Sequence, residues 1–92
     1  MNKATLGLAY RAKKVMIGTD YVIDAMRKGE IFLILLANDA SENTKKKISD
    51  KAKTYQVVVN LEYSSSDLAT ALGKHDIKVI GIKDRGFASL LE

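Results

Sequence analysis

The chain has 92 residues, with 15 lysines and arginines against 11 aspartates and glutamates, 47% hydrophobic and 28% charged positions and no cysteine. That balance predicts one ordinary globular domain over 1–92 and excludes a multidomain protein, a disordered chain and a low-complexity tail. It also removes disulfide frameworks, cysteine-ligated zinc and thiol nucleophiles, and a chain this short buries only about two-thirds of its unfolded surface, leaving no room for an elaborate catalytic pocket.

Segments of two periods alternate from end to end, the pattern of strands and helices layered on one another. A first helix is predicted from Asn2 as N-cap, with Ala4, Leu8 and Ala12 on its inner face and Lys3, Arg11 and Lys13 outside. Lys14 leads into a short strand, Val15-Met16-Ile17. Gly18-Thr19 ends it, Thr19 is expected to cap a second helix with Val22, Ala25 and Met26 inward, and Gly29 suits its C′ position.

Ile31 to Ala37 is a run of seven apolar residues. Such a run cannot leave one strand face in water, so it predicts a central strand covered on both sides. It is far too short to cross a bilayer, which takes about 20 helical residues, and Met1-Asn2-Lys3-Ala4 lacks the apolar segment of a secretory signal. A soluble cytoplasmic protein with no membrane partner is therefore expected.

Asn38-Asp39-Ala40-Ser41 is turn chemistry, and a third helix follows with Ile48, Ala52 and Tyr55 at i, i+4 and i+7. Its other face holds Lys45, Lys46, Lys47, Lys51 and Lys53. A β-branched strand at 57–61 comes next. Ser64-Ser65-Ser66-Asp67 offers several caps for a fourth helix with Leu68, Ala71 and Leu72 inward and Gly73 at its end. Lys74-His75-Asp76 is a loop, Ile77 to Ile82 a fourth strand weakened by Gly81, Lys83-Asp84-Arg85-Gly86 a turn, and Phe87, Leu90 and Leu91 mark a last short helix. Strict alternation by itself suggests a parallel sheet.

The chemistry available to an enzyme is thin. GxGxxG, a Gly-rich loop ending in Gly-Lys-Ser/Thr and a GxSxG elbow are all absent. His75 is the one imidazole, and it lies between Lys74 and Asp76 in a surface loop with no evident base partner. Asp20, Asp24 and Asp39 could hold a hard cation such as Mg²⁺; equally, Asp20 sits favourably at a helix N-terminus and Asp39 caps a turn. The lysines of the third helix could track phosphates or form a solvated face, and they lack interleaved aromatic platforms for stacking bases.

Gly18-Thr19-Asp20-Tyr21-Val22-Ile23-Asp24-Ala25-Met26-Arg27-Lys28-Gly29, followed by the apolar strand and Ala37-Asn38-Asp39-Ala40, resembles the kink-turn-binding ribosomal protein family. This is the archaeal and eukaryotic seven-Ae and thirty-e group, with small bacterial accessory members. The stretches Asp39 to Ile48 and Lys83 to Ala88 are especially similar to the bacterial members. The resemblance covers nearly the whole chain in the same order of elements.

The resemblance implies an α/β fold: a three-layer α/β/α sandwich on a mixed four-stranded sheet, the last strand antiparallel to the others. It implies further that the start of the fourth strand and the Gly18-Thr19 and Asn38-Asp39 turns share one edge. In the family that edge grips a kinked RNA duplex bent at tandem sheared G·A pairs. The opening of the second helix reads guanine edges, and the loop after the fourth helix covers an extruded nucleotide. A kink that exposes base edges suits RNA, whose deep major groove side chains cannot enter.

By resemblance, Gly18, Thr19, Asp20, Tyr21, Lys28, Asp39, Gly73, Lys74 and His75 are expected at the contact edge, with Lys28 and Lys74 supplying phosphate charge. The implied partners are structured RNA, ribosomal RNA in particular, and ribosomal proteins. A noncatalytic monomer with no cofactor and no metal is expected. The chain departs from the motif at Asp20 and Tyr21, where the family commonly has Asn then Glu, and at Asp24, where it has Lys. Those acidic residues favour the alternative of a protein–protein interaction module on the same fold with weak or no kink-turn binding; a small Mg²⁺-dependent enzyme is a third reading.

Overall fold

The computed structural model of the protein describes residues 3–92. Its elements run α1 (Lys3–Arg11), β1 (Val15–Ile17), α2 (Thr19–Arg27), β2 (Leu33–Leu36), α3 (Glu42–Tyr55), β3 (Val58–Asn60), α4 (Ser65–Leu72), β4 (Val79–Ile82) and α5 (Arg85–Leu91). The expected cap at Asn2 lies outside the described residues. α1 turns a different face inward from the one predicted: Leu6, Gly7 and Ala9 are buried, whereas Leu8 is 52% exposed. Over so short a helix the alanines and leucines spread around the axis, and tertiary contact with α4 and α5 selects the face.

The sheet order is β1-β4-β2-β3. β2 and β3 pair in parallel, while β4 lies between β1 and β2 and runs antiparallel to both. The parallel sheet suggested by alternation is therefore corrected, and the mixed sheet implied by the family resemblance is the one present. The physical reason lies after α4. Gly73 ends that helix in the left-handed region, at φ 66°, and the chain then turns back along α4 instead of feeding straight into a strand. It re-enters the sheet at the end where β2 finishes, so β4 has to run the other way.

β2 and β4 occupy the middle of the sheet, and all of their residues are buried. α1 contacts α4 and α5 in one layer, and α2 contacts α3 in the other, giving an α/β/α sandwich. Leu33, Ile34, Leu35, Leu36, Ile80 and Ile82 fill the sheet layer, with Leu6, Leu68 and Leu91 from one side and Val22, Met26 and Ile48 from the other. In α4 it is Ala69 that is buried beside Leu68 and Leu72, with Ala71 only half-buried.

Gly81 looked like a weak point in a strand and is a packing requirement. A Cβ there would sit 2.8 Å from Ile31 Cδ1 and 3.3 Å from Val22 Cγ1, so the missing side chain lets α2 and the start of the β2 segment lie close on the sheet. Gly81→Val overfills this layer, and an overpacked core costs about 1–3 kcal/mol. The expected outcome is an unfolding free energy lowered by that amount, read as a lower urea midpoint at an unchanged slope; an unchanged midpoint would contradict the close approach.

Candidate nucleic-acid interface

The reversal of β4 brings four chain segments to one end of the sheet. The Gly18 amide donates to the Val79 carbonyl at 3.1 Å, the Ala37 amide to the Lys78 carbonyl at 2.8 Å and the Asn38 amide to the Tyr63 carbonyl at 2.9 Å. The exit of β1, the exit of β2, the approach to α4 and the entrance of β4 are thus tied by backbone hydrogen bonds. The Gly18-Thr19 and Asn38-Asp39 turns and the start of β4 share this edge.

Gly18 is itself the N-cap of α2, at φ 107°, a backbone region that side-chain-bearing residues rarely adopt. Thr19 was expected as the cap and instead lies inside the helix, because the strand hydrogen bond of Gly18 fixes where the helix begins. No side chain caps this helix, so its first amides are left to other acceptors. Tyr21 stands 71% exposed beside them, a free aromatic face and not a half-buried helix tyrosine. Asp20 is held by Lys47 of α3 at 3.0 Å across the two helices of that layer.

Asp39 has a different part. Its Oδ1 accepts from the Ser65 amide at 2.8 Å and its Oδ2 from the Ser65 hydroxyl at 2.7 Å, so the carboxylate clasps the first residue of α4 to the exit of β2. Those Ser65 bonds hold the Asp39 carboxyl below its ordinary 3.8. Ser64 and Asp67 complete a capping box at the same helix start.

The segment after Gly73 folds back beside this helix start. Lys74, His75 and Asp76 line an open depression of about 300 Å³ with Ser65 and Ser66 on its other side. Asp76 adopts φ 50° and pairs with Lys78 at 2.8 Å, and this partner holds the Lys78 ammonium above its ordinary value. The Lys74 ammonium lies 5.4 Å from the centroid of the Tyr10 ring. Lys28 is not brought to this edge. It follows α2 at the far end of that helix, about 13 Å of helical rise from Thr19, and pairs with Asp24 at 3.2 Å.

The three aspartates considered for a cation do not converge. Asp20 goes to Lys47, Asp24 to Lys28 and Arg27, and Asp39 to Ser65, and among the described residues no cluster of three ligands forms. The lysine face of α3 is partly neutralised within itself, through Lys45–Glu42 and Lys46–Asp50. Ser65 and Lys78 escaped the sequence reading as members of this edge. Ser65 was indistinguishable from its two serine neighbours as a cap, and Lys78 gains its place only through the reversed strand.

The α/β/α sandwich with its last strand reversed thus brings an uncapped helix start, an exposed tyrosine and the end of a folded-back polar segment to one end of the sheet. The chain belongs to the ribosomal protein L7Ae/L30e/S12e/Gadd45 family, whose model matches residues 2–92. It is 43% identical to the RNA-binding protein YlxQ of Bacillus subtilis (strain 168), over 94% of this chain and 86% of that one. It is 42% identical to the protein of the same name from Enterococcus faecium, over 90% and 80% of the two chains. Among solved structures, a protein of unknown function from Bacillus halodurans superposes with a TM-score of 0.93 at 40% identity, over 97% of this chain and 90% of that one. The Giardia lamblia 15.5kD RNA binding protein shares the fold at a TM-score of 0.79 and 13% identity, over 97% and 76%.

The Asp39 clasp has a pH signature. Its folded-state pKa is depressed, so its contribution to stability is present above the ordinary carboxylate value and is lost as pH falls through the folded value. Asp39→Ala is expected to lower thermal stability at pH 7, to flatten the loss of stability below about pH 4, and to speed hydrogen exchange at the Ser65 amide. Unaltered exchange at Ser65 would remove the clasp.

Proposed function

We propose that this chain is a noncatalytic, cytoplasmic, ribosome-associated protein that binds structured RNA of the kink-turn kind through the edge built from Gly18, Thr19, Asp20, Tyr21, Gly73, Lys74 and His75. Asp39 serves as the positioning residue that sets α4 beside them. The single observation that carries this reading is the approach of the uncapped start of α2 and the segment after α4 to one end of β4, where the Gly18 amide donates to the Val79 carbonyl. Family membership and the names of the two relatives agree with it.

The chemistry is suited to the task. Free amides at a helix start, with the positive end of the helix dipole, donate to phosphate oxygens or base acceptor atoms without any charged side chain. Asp20 accepts from guanine N–H donors, and its ion pair with Lys47 offsets its repulsion of phosphate. Tyr21 offers a face to a displaced base, and base–aromatic stacking is worth about 1–3 kcal/mol. Ribosomal RNA is the RNA class we favour, and the bound protein is taken as a monomer.

Gel-shift competition between a kinked duplex and the same duplex lacking its G·A pairs tests this directly: the kinked duplex should win. Equal competition would mean generic attraction to phosphate. Tyr21→Ala should weaken binding of the kinked duplex by about 1–3 kcal/mol. Lys74→Ala should reduce the salt slope by about 0.7–0.9, while Lys28→Ala leaves it unchanged on a short RNA. The acidic residues Asp20 and Asp24 are the observation favouring a protein-interaction module; partners that survive nuclease treatment in a pulldown, with no preference for the kinked duplex, would establish that reading instead.

A further inference from the structure

The opposite end of the sheet carries a second concentration of charge. There the Lys83 amide donates to the Lys14 carbonyl at 2.7 Å and the Phe32 amide to the Ile82 carbonyl at 2.8 Å. Lys14 before β1, Lys83 after β4 and Phe32 before β2 are therefore fixed side by side. Lys13 precedes them at φ 61°, a left-handed residue at the exit from α1 where glycine is the usual choice. Arg85 opens α5 with its guanidinium 4.8 Å from the centroid of the Phe32 ring.

None of Lys13, Lys14, Lys83 and Arg85 has a carboxylate partner among the described residues, whereas Lys28, Lys45, Lys46, Lys47 and Lys78 each have one. The acidic groups on this rim are Asp24, which takes Arg27 and Lys28, Asp84, which accepts the Phe87 amide as the cap of α5, Glu30, and Glu92, which shares a shallow depression with Phe32 and Arg85 without an ion pair to that arginine. The unpaired cations face solvent from a backbone that hydrogen bonds hold in place.

The geometry points to a second RNA surface at this far edge, one that takes the phosphate backbone of a plain A-form duplex segment, so that the protein bridges two RNA segments. The inference rests on the RNA-binding reading above and extends it to a different face. Protein interfaces are centred on aromatic or aliphatic anchors; here Val58, opposite Leu33 at the start of β3, and Leu90, beside Asp84 and Gly86, flank the cations, and no exposed large apolar residue lies among 13–14, 27–32 and 83–86 themselves. Base stacking on Phe32 is also disfavoured, since Arg85 lies over that ring. Four cations without carboxylate partners among the described residues, three of them held at adjoining chain segments, meet the requirement for phosphate contacts that position a duplex without reading it. β4 separates the two edges by about 13 Å, so one can be filled while the other stays open.

The test is an amide-resolved NMR titration of the full chain with a short RNA duplex that has no kink and no G·A pairs. Shifts are expected at residues 13–14 and 83–85. In the Lys14→Gln, Lys83→Gln, Arg85→Gln variant, with its spectrum otherwise intact, binding should weaken by about tenfold or more and the salt slope should fall by about 2 to 3, at 0.7–0.9 per cation. No shift at these amides would overturn the proposal, and so would shifts produced as strongly by an acidic polyglutamate peptide, which would mark a surface for acidic protein. A kinked duplex run in parallel reports the first edge through the amides of residues 18–21. Failure there and failure at 13–14 and 83–85 are read on separate signals.

Discussion

Everything about the candidate interface depends on the direction of one strand. β4 lies between β1 and β2 and is antiparallel to both, so its first residue meets the last residues of both neighbours. Had it run parallel, the loop after α4 would enter at the other end of the sheet, and the start of α2 would have no companion. The hydrogen bonds from Gly18 to Val79 and from Ala37 to Lys78 are where that direction becomes a surface.

The core makes the direction stable. Both central strands are buried along their whole length and receive helices on both faces, so neither can slip by one residue without turning part of its apolar set toward the wrong layer. Gly81 marks where this is tightest, with Ile31 and Val22 closing over the bare backbone. On that rigid frame the polar edge is adjustable at low cost. Asp39, exposed, holds α4 in place through the buried Ser65, and the first turn of α2 presents amides, an aspartate and a tyrosine to solvent.

Much of this was legible in the sequence, for identifiable reasons. The run Ile31 to Ala37 leaves no choice but a central strand, Gly29 and Gly73 mark helix ends by their tolerance of positive φ, and the serines at 64–66 announce the start of α4, whose cap falls on Ser64. The face of α1 was not legible, because a short helix with apolar residues all round takes its orientation from α4 and α5. Strand direction was not legible in periodicity either, since a buried strand reads the same both ways; only the resemblance of Gly18 to Gly29 and its sequel to a known family supplied it. Of the candidate site, the Gly18 turn and the end of the segment after Gly73 share one end of the sheet through the Gly18–Val79 hydrogen bond, while Lys28 stands at the far end of α2, because a residue's charge says nothing of its distance along a helix. The clasp of Asp39 on Ser65 spans 26 positions and leaves no local pattern.

The central claim is that two turns distant in sequence form one grip for folded RNA. Hydrogen–deuterium exchange of the full chain with and without a kinked duplex tests it most directly. The account predicts protection on binding in both 18–21 and 73–78 at the same RNA concentration. Protection of one segment without the other, or of neither, would contradict it.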